Sequence, residues 1–233
     1  MASPKIILYT NHNCPWAHRA HIALAELNLP FEEEIIDLSV PRTPEYLKIN
    51  PRGLVPSISY NGEIITESAI VSQFLADAHP SHLLPVSNAE GGALRRARIN
   101  FFVDTFFTKA FPLFIKSFSA PEEEVEGLGT QFAEIASKEL EPLLSDAKPF
   151  FGGSDKLTLA EVLTGSFVIR VLTLPEKGVL PKSYVASLPE KAPNFYKWAQ
   201  VVSAHPSVNG IYDVDTIAEN TKNRIAKLRA QSK

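Results

Sequence analysis

Cys14 is the single cysteine in 233 residues, and it stands in the stretch "NHNCPWAHR", Asn11 to Arg19. The apolar run "KIILY" precedes it and Pro15 follows it. That run reads as a short buried strand, and Ala20, Ala23, Leu24 and Leu27 recur at helical spacing from Pro15 to about Asn28. Cys14 therefore falls at the first turn of a helix. Pro15 takes the first helical position, where a missing N–H costs nothing. Free N–H groups and the positive end of the helix dipole favour a thiolate there, the form that attacks disulfides and electrophiles. His18 and Arg19, one turn on, would add positive charge. The alternative is a buried, inert cysteine, and the strand–Cys–Pro–helix setting argues against it.

Dithiol redox proteins use Cys-x-x-Cys, but here Ala17 occupies the second position and the chain has no resolving cysteine. A mixed disulfide at Cys14 would need an external thiol to resolve it. Glutathione is the abundant one, so the sequence asks for a glutathione site. A metal is a weaker idea. Cys14, His18 and His21 fall at i, i+4 and i+7, but no fourth ligand or zinc spacing accompanies them, and no metal is expected. No Gly-rich phosphate loop and no HExxH are present.

The elements that must hold these residues read as follows. "FEEEIID" (31–37) is a second strand and "TPEYLKIN" a short helix. "PSISY", Asn61-Gly62 and "EIIT" form a hairpin, for which Asn-Gly is the strongest local signal. "ESAIVSQFLADA" is an amphipathic helix with Ile70, Phe74, Leu75 and Ala78 expected on its inner face. The order β-α-β-α-β-β-α implies a mixed four-stranded sheet, the first pair parallel and the hairpin antiparallel. Residues 80–92, rich in proline and glycine, read as a linker between a first domain at 1–79 and an all-helical second domain at 93–233. In that second part, 93–118 is helical with Ile99, Phe102, Val103, Phe106 and Ala110 on one face, and Pro112 should end or kink it. Helices follow at 122–145, from Thr158, and over "APNFYKWAQVVSAHP", where Phe195, Trp198, Val201 and Val202 should face in. Thr158 and Glu161 make a capping box, with Leu157 and Val162 as its hydrophobic staple. The mildly basic tail "NRIAKLRAQSK" reads as a solvated terminal helix.

Composition limits the function classes. Hydrophobic residues at 45% against 21% charged give a soluble chain with a real core. A net charge of −3 argues against a general phosphate-binding surface, hence against nucleic acid. No apolar run approaches the roughly 18 residues of a membrane span. The N-terminus lacks the pattern of a signal peptide, and one cysteine allows no internal disulfide, so a cytoplasmic location is expected.

At this point the chain resembles the glutathione transferase superfamily, in its cysteine-type, omega-like and fungal-type class. "NHNCPWAHR" is similar to the active-site segment, "NPRGLVPSI" to the loop before the family's cis-proline, "ESAI" to its glutathione-binding turn, "LTLAE" to its capping box and "NFYKWAQVVSAHPSV" to its late helix. The resemblance implies a thioredoxin-like first domain and a helical-bundle second domain. It implies Cys14 as the catalytic residue. It also implies a glutathione site in which Ser68 takes the γ-glutamyl carboxylate, Glu67 the amine, and the Val55 backbone beside Pro56 the cysteinyl unit. Trp16 belongs to the same site. Where omega members place a lysine for the glycine carboxylate, this chain has Arg42, with Arg52 as a rival. Tyr9, at the end of strand one, is a rival thiol activator. Arg19, Trp16 and His18 also fit the glutathionyl-hydroquinone reductases, which resemble a longer chain with an N-terminal extension.

Three functions follow as expectations: a glutathione-dependent thiol transferase or dehydroascorbate-type reductase working through a Cys14–glutathione mixed disulfide, a conventional conjugating transferase, or a non-enzymatic redox-sensing protein on the same fold. Seven of the 14 phenylalanines lie between 101 and 118. They cover more than one helix face and are expected to wall an electrophile pocket or to join a homodimer interface, with Phe101 and Phe107 outside the core stripe.

Overall fold

The computed structural model describes residues 3–231. Met1, Ala2 and the tail's last residues, Ser232 and Lys233, lie outside them.

The first part follows the order read from the sequence. Strand β1 (Ile6–Thr10) leads to helix α1 (Pro15–Glu26), β2 (Glu32–Ile35), α2 (Pro44–Ile49), β3 (Ser57–Tyr60), β4 (Glu63–Thr66) and α3 (Ser68–Ala78). The sheet order is β2-β1-β3-β4. β1 pairs parallel with β2 and antiparallel with β3, and β3 pairs antiparallel with β4. This is a thioredoxin-like sheet, mixed as expected. Alternation along β1 sorts its side chains: Ile6 and Leu8 enter the main core with α1 and α3, while Tyr9 and Ile7 meet Tyr46 and Ile49 of α2 on the other face. The edge strand β2 is exposed along its length, and its three glutamates oppose pairing with another chain.

α3 corrects one expectation. Ser68, Val71, Ser72, Leu75 and Ala76 are its buried residues, whereas Ile70 is 57% exposed and Ala78 is exposed as well. Periodicity identified a helix; the stripe that faces the core is rotated by one residue.

The second part is all helical. It begins with α4 (Gly92–Thr105), a π-helical turn (Phe106–Ala110) and α5 (Phe111–Lys116). α6 (Glu122–Ile135) is likewise followed by a π-helical turn (Ala136–Leu140) and a short 3-10 turn (Pro142–Leu144). Both π turns lie just before a proline, Pro112 and Pro142. Proline lacks an N–H and crowds the carbonyl four residues back, and the wider turn relieves that crowding. Each long segment expected as one helix is thus broken at its proline. Then come α7 (Leu159–Glu176), α8 (Ser183–Ala186), α9 (Leu188–Lys191), α10 (Pro193–Ala204), α11 (Pro206–Asn209) and α12 (Val214–Gln231). On α10, Phe195, Trp198, Ala199 and Val202 are buried, but Val201 is exposed, against expectation.

α7 is the central post. Fifteen of its 18 residues are buried, and it packs on α1 and α3 of the first part and on α10 of the second. Its start is the capping box. The Thr158 hydroxyl accepts from the Ala160 N–H (3.1 Å), and the Glu161 carboxylate accepts from the Thr158 N–H (2.8 Å). Leu157 and Val162 are both fully buried across that turn. α12 lies largely in solvent but docks through Ile217, Ala218 and Ile225.

Candidate functional site

β1 delivers Cys14 through a three-residue turn. The Asn11 carbonyl accepts from the Cys14 N–H (3.0 Å), the Asn11 side-chain oxygen accepts from the Asn13 N–H (3.0 Å), and its amide donates to the Ile36 carbonyl (2.9 Å). Cys14 is then the N-cap of α1, with Pro15 at the first helical position. Its side chain makes no capping hydrogen bond, so the helix start stays open. The half-buried thiol lies 4.0 Å from the Val55 carbonyl. The Val55–Pro56 bond is cis.

The start of α3 faces the start of α1. Glu67 holds a positive φ of 71° between β4 and α3, which directs Ser68 toward Arg19. Ser68 Oγ accepts from Arg19 Nη1 (3.0 Å), which leaves its own proton available to an acceptor. Between these helix ends lies a cavity of about 520 Å³. Cys14, Trp16, Arg42, Val55, Pro56, Glu67 and Ser68, the seven residues singled out in the sequence, all line it. Arg19, Leu38, Asn50 and Leu54 line it too.

The sequence marks Arg19 as a charge one turn beyond Cys14 and gives no sign of Arg170; both lie at this end of α1. Arg19 is 4% exposed, and its guanidinium sits over Trp16 (4.6 Å), Phe107 (4.5 Å) and Phe167 (5.1 Å) while Nε donates to the Leu163 carbonyl (2.8 Å). Arg170, on α7, is also buried; it donates to the Ser166 carbonyl (2.5 Å) and, across 157 positions of sequence, to the Asn13 carbonyl (3.3 Å). Neither forms an ion pair among the described residues. Burial pushes the Arg19 pKa down to about 9 and that of Arg170 to about 10, the latter partly offset by Tyr212 and Cys14. Two buried cations without a carboxylate therefore flank the open end of α1. An arginine on the polar side of a predicted helix gives little sign of this. The missing acid partner is a tertiary fact.

Other expectations change. His18 does not add charge beside Cys14. It is fully buried, its ring stacks on Tyr212 (6.4 Å, 13°), and neither ring nitrogen has a hydrogen-bond partner. The Val208 backbone is near enough to favour the charged form without reaching hydrogen-bond geometry. Burial, with Arg170 and His21 nearby, pushes the His18 pKa down to about 3. Tyr9 lies outside the cavity lining, packed on Tyr46 (5.8 Å), and burial followed by Glu34 raises its pKa. Arg42 spends Nε on the Gly53 carbonyl (3.0 Å) and Nη1 on those of Asp37 (2.6 Å) and Val40 (2.5 Å), pinning the loop before α2 to the turn after it. Gly53, at φ +64°, lets that turn close: a Cβ there would meet Arg42 Cγ at 3.0 Å. The rival Arg52 instead pairs with Glu67 (2.5 Å).

The aromatic excess has two destinations. Trp16 packs on Phe107 (5.6 Å), Phe111 (5.9 Å) and Phe167 (4.7 Å), joining the first helix to the second part of the chain. Phe107 is thus part of the cluster that adjoins the cavity, whereas Phe101 is 59% exposed.

A family model described as Glutathione S-transferase, N-terminal domain, matches residues 13–78. Over 213 residues the chain is 30% identical to a probable glutathione S-transferase GSTU1 of Oryza sativa subsp. japonica, covering 85% of this chain and 88% of that one. The chain belongs to the glutathione S-transferase family. Among solved glutathione S-transferase structures, rice GST1 (OsGSTU1) in complex with glutathione matches with a TM-score of 0.83 at 26% identity, over 97% of this chain and 99% of that one. Glutathione transferase Omega 1C from Trametes versicolor matches with a TM-score of 0.80 at 26% identity, over 97% and 98%. On these neighbours, the resemblance to the omega class widens to the glutathione S-transferase family as a whole.

Proposed function

We propose that the chain is a glutathione-dependent thiol transferase and reductase acting through Cys14. The observation that carries this reading is the open N-cap of α1. A lone thiol sits at a helix start, unspent on capping, beside a cavity and with no second cysteine in the chain. In the first step the Cys14 thiolate attacks the glutathionyl sulfur of a mixed disulfide. The substrate thiolate leaves and takes a proton, and Cys14 is left disulfide-bonded to glutathione. In the second step the thiolate of another glutathione attacks that glutathionyl sulfur. Glutathione disulfide leaves and the Cys14 thiolate is restored. Two glutathiones reduce a dehydroascorbate-type oxidant with the same electron balance. Such chemistry belongs in a reducing compartment such as the cytoplasm.

In this reading residues 1–79 hold glutathione, residues 93–233 shape the acceptor side, and 80–92 link them. The Ser68 hydroxyl donates to the γ-glutamyl carboxylate, supported by Arg19. Glu67, oriented by Arg52, accepts from the amine, and the Val55 backbone receives the cysteinyl unit. Trp16 closes the cavity wall, and Arg42 offers its remaining guanidinium nitrogen to the glycine carboxylate. Exposed Phe101 and Leu94 on α4 and Ile70 on α3 support a homodimer. Sedimentation at micromolar concentration tests that, with a mass near 25.7 kDa throughout rejecting it.

A second reading, conjugation of glutathione to aryl electrophiles, draws support from the aromatic wall of Trp16, Phe107, Phe111 and Phe167 and from the similarity to the rice protein. Paired assays separate the two. Reduction of a small glutathione mixed disulfide should outpace conjugation of an aryl chloride, and protein exposed to glutathione disulfide should carry one reducible glutathionyl group at Cys14. Conjugation alone, with no adduct at Cys14, favours the second reading. Neither activity favours a regulatory protein.

A further inference from the structure

We infer that His12, His21 and Glu33 form a zinc-type divalent metal site on the β2 side of the sheet, next to the loop that carries Cys14. The three come from different elements. His12 lies in the turn after β1, His21 lies on α1, and Glu33 lies on β2, paired in register with Leu8. Glu33 Oε1 is 2.7 Å from His12 Nε2 and 3.3 Å from His21 Nε2. One ligand atom from each of the three residues lies within 4.8 Å of the other two, the only such grouping of His, Cys, Asp and Glu among the described residues.

The spacing suits a metal. Ligand atoms about 2.1 Å from a tetrahedral zinc lie about 3.4 Å from one another. Two of the three separations are already near or below that. The third closes if His12 swings, which its place in an exposed turn allows. His21 is the ligand least free to move, because burial and Phe31 hold its ring even when Nε2 gives up Thr10. Its ring is buried, held by Thr10 Oγ1 at 2.9 Å from Nε2 and by Phe31 (5.8 Å, 73°) packed at its edge. A metal on His21 Nε2 would displace the Thr10 contact of that nitrogen as well as the Glu33 contacts with the two rings, and keep an outer face open to water. Two imidazoles and one carboxylate suit zinc, nickel or copper, whereas magnesium and calcium prefer oxygen ligands. Glu32 and Glu34 on the same strand add negative potential.

The grouping differs from the one that helical spacing suggests. Cys14, His18 and His21 share a helix, but His18 turns to Tyr212 and only His21 reaches the sheet edge. His12 stands two residues before Cys14, so a bound metal would tie the Cys14 loop to β2. The inference does not depend on the proposed thiol chemistry.

Zinc titration by calorimetry tests it. Because a thiol also binds zinc, the background is Cys14→Ala. That protein should bind one equivalent of zinc and gain thermal stability from it. Adding His12→Ala or Glu33→Gln should weaken binding at least about tenfold, the lower end of what disturbing a metal site costs. Both positions are exposed enough to spare the fold, which circular dichroism checks. Cobalt should bind with visible absorption that is lost in the same variants. Absence of zinc binding in the Cys14→Ala background, or affinity unmoved by both substitutions, overturns the site and leaves ordinary imidazole–carboxylate hydrogen bonds.

Discussion

The two helices that meet at the centre of the molecule start in opposite ways. α7 begins with every nearby donor answered. The buried Glu161 carboxylate accepts from the N–H groups of Phe151 (2.7 Å) and Thr158 (2.8 Å), the Thr158 hydroxyl (2.7 Å) and the Trp198 indole (2.7 Å). Burial pushes its pKa up, and these four donors oppose the push. α1 begins with a residue that caps nothing, near two buried arginines that meet only carbonyls, a hydroxyl and aromatic faces. A helix start satisfied from within is an anchor. One left open, in a cavity and with positive charge behind it, is ready for an anionic partner.

The comparison can be broken or sharpened by experiment. Cys14→Ser at the open end should remove thiol transfer altogether, since serine forms no mixed disulfide, while unfolding temperature stays close to wild type; full activity in this variant sinks the mechanism. Glu161→Ala at the closed end should do the reverse. It strands three N–H donors at about 1–3 kcal/mol each, so a loss of about 3 kcal/mol or more is expected in denaturant unfolding. The protein that remains folded should bind glutathione normally. An undiminished stability would mean water replaces the carboxylate.

Ser68→Ala should weaken glutathione by about 10- to 100-fold, from loss of a hydrogen bond to a charged group worth about 1.5–3 kcal/mol. Calorimetry reads this directly, and an unchanged dissociation constant would move the site elsewhere. The smallest effect at neutral pH concerns His18, which faces Arg170 of α7, Tyr212 before α12, and His21 and His12 of its own segment. Its folded pKa of about 3 lies below the ordinary 6.5, so the unfolded chain binds the extra proton between those values. Its contribution is fully present above pH 6.5 and drains away as pH falls toward 3. The slope is about 1.4 kcal/mol per pH unit. His18→Leu should flatten the acid limb of stability against pH relative to wild type. Parallel curves would mean that His18 takes up its proton in the fold as readily as in the unfolded chain.

What the sequence alone determined is what short-range chemistry decides. Pro15 after Cys14, Thr158 with Glu161, and Asn61-Gly62 each act within four residues, and each stands where local reading put it. The parallel first pair and the antiparallel hairpin followed from connection lengths, whereas the antiparallel pairing of β1 with β3, which sets the strand order, is a tertiary fact. Tertiary structure decided the rest. Periodicity says which residues share a helix face but not which face turns inward, so Ile70 and Val201 came out exposed. Arg19 meets Leu163 across 144 positions and Arg170 meets Asn13 across 157, distances over which no local pattern carries information. His18 shows the same limit in electrostatics. Desolvation sums over every element packed around a ring, so a residue that reads as a nearby positive charge becomes, once buried under Tyr212, a neutral one.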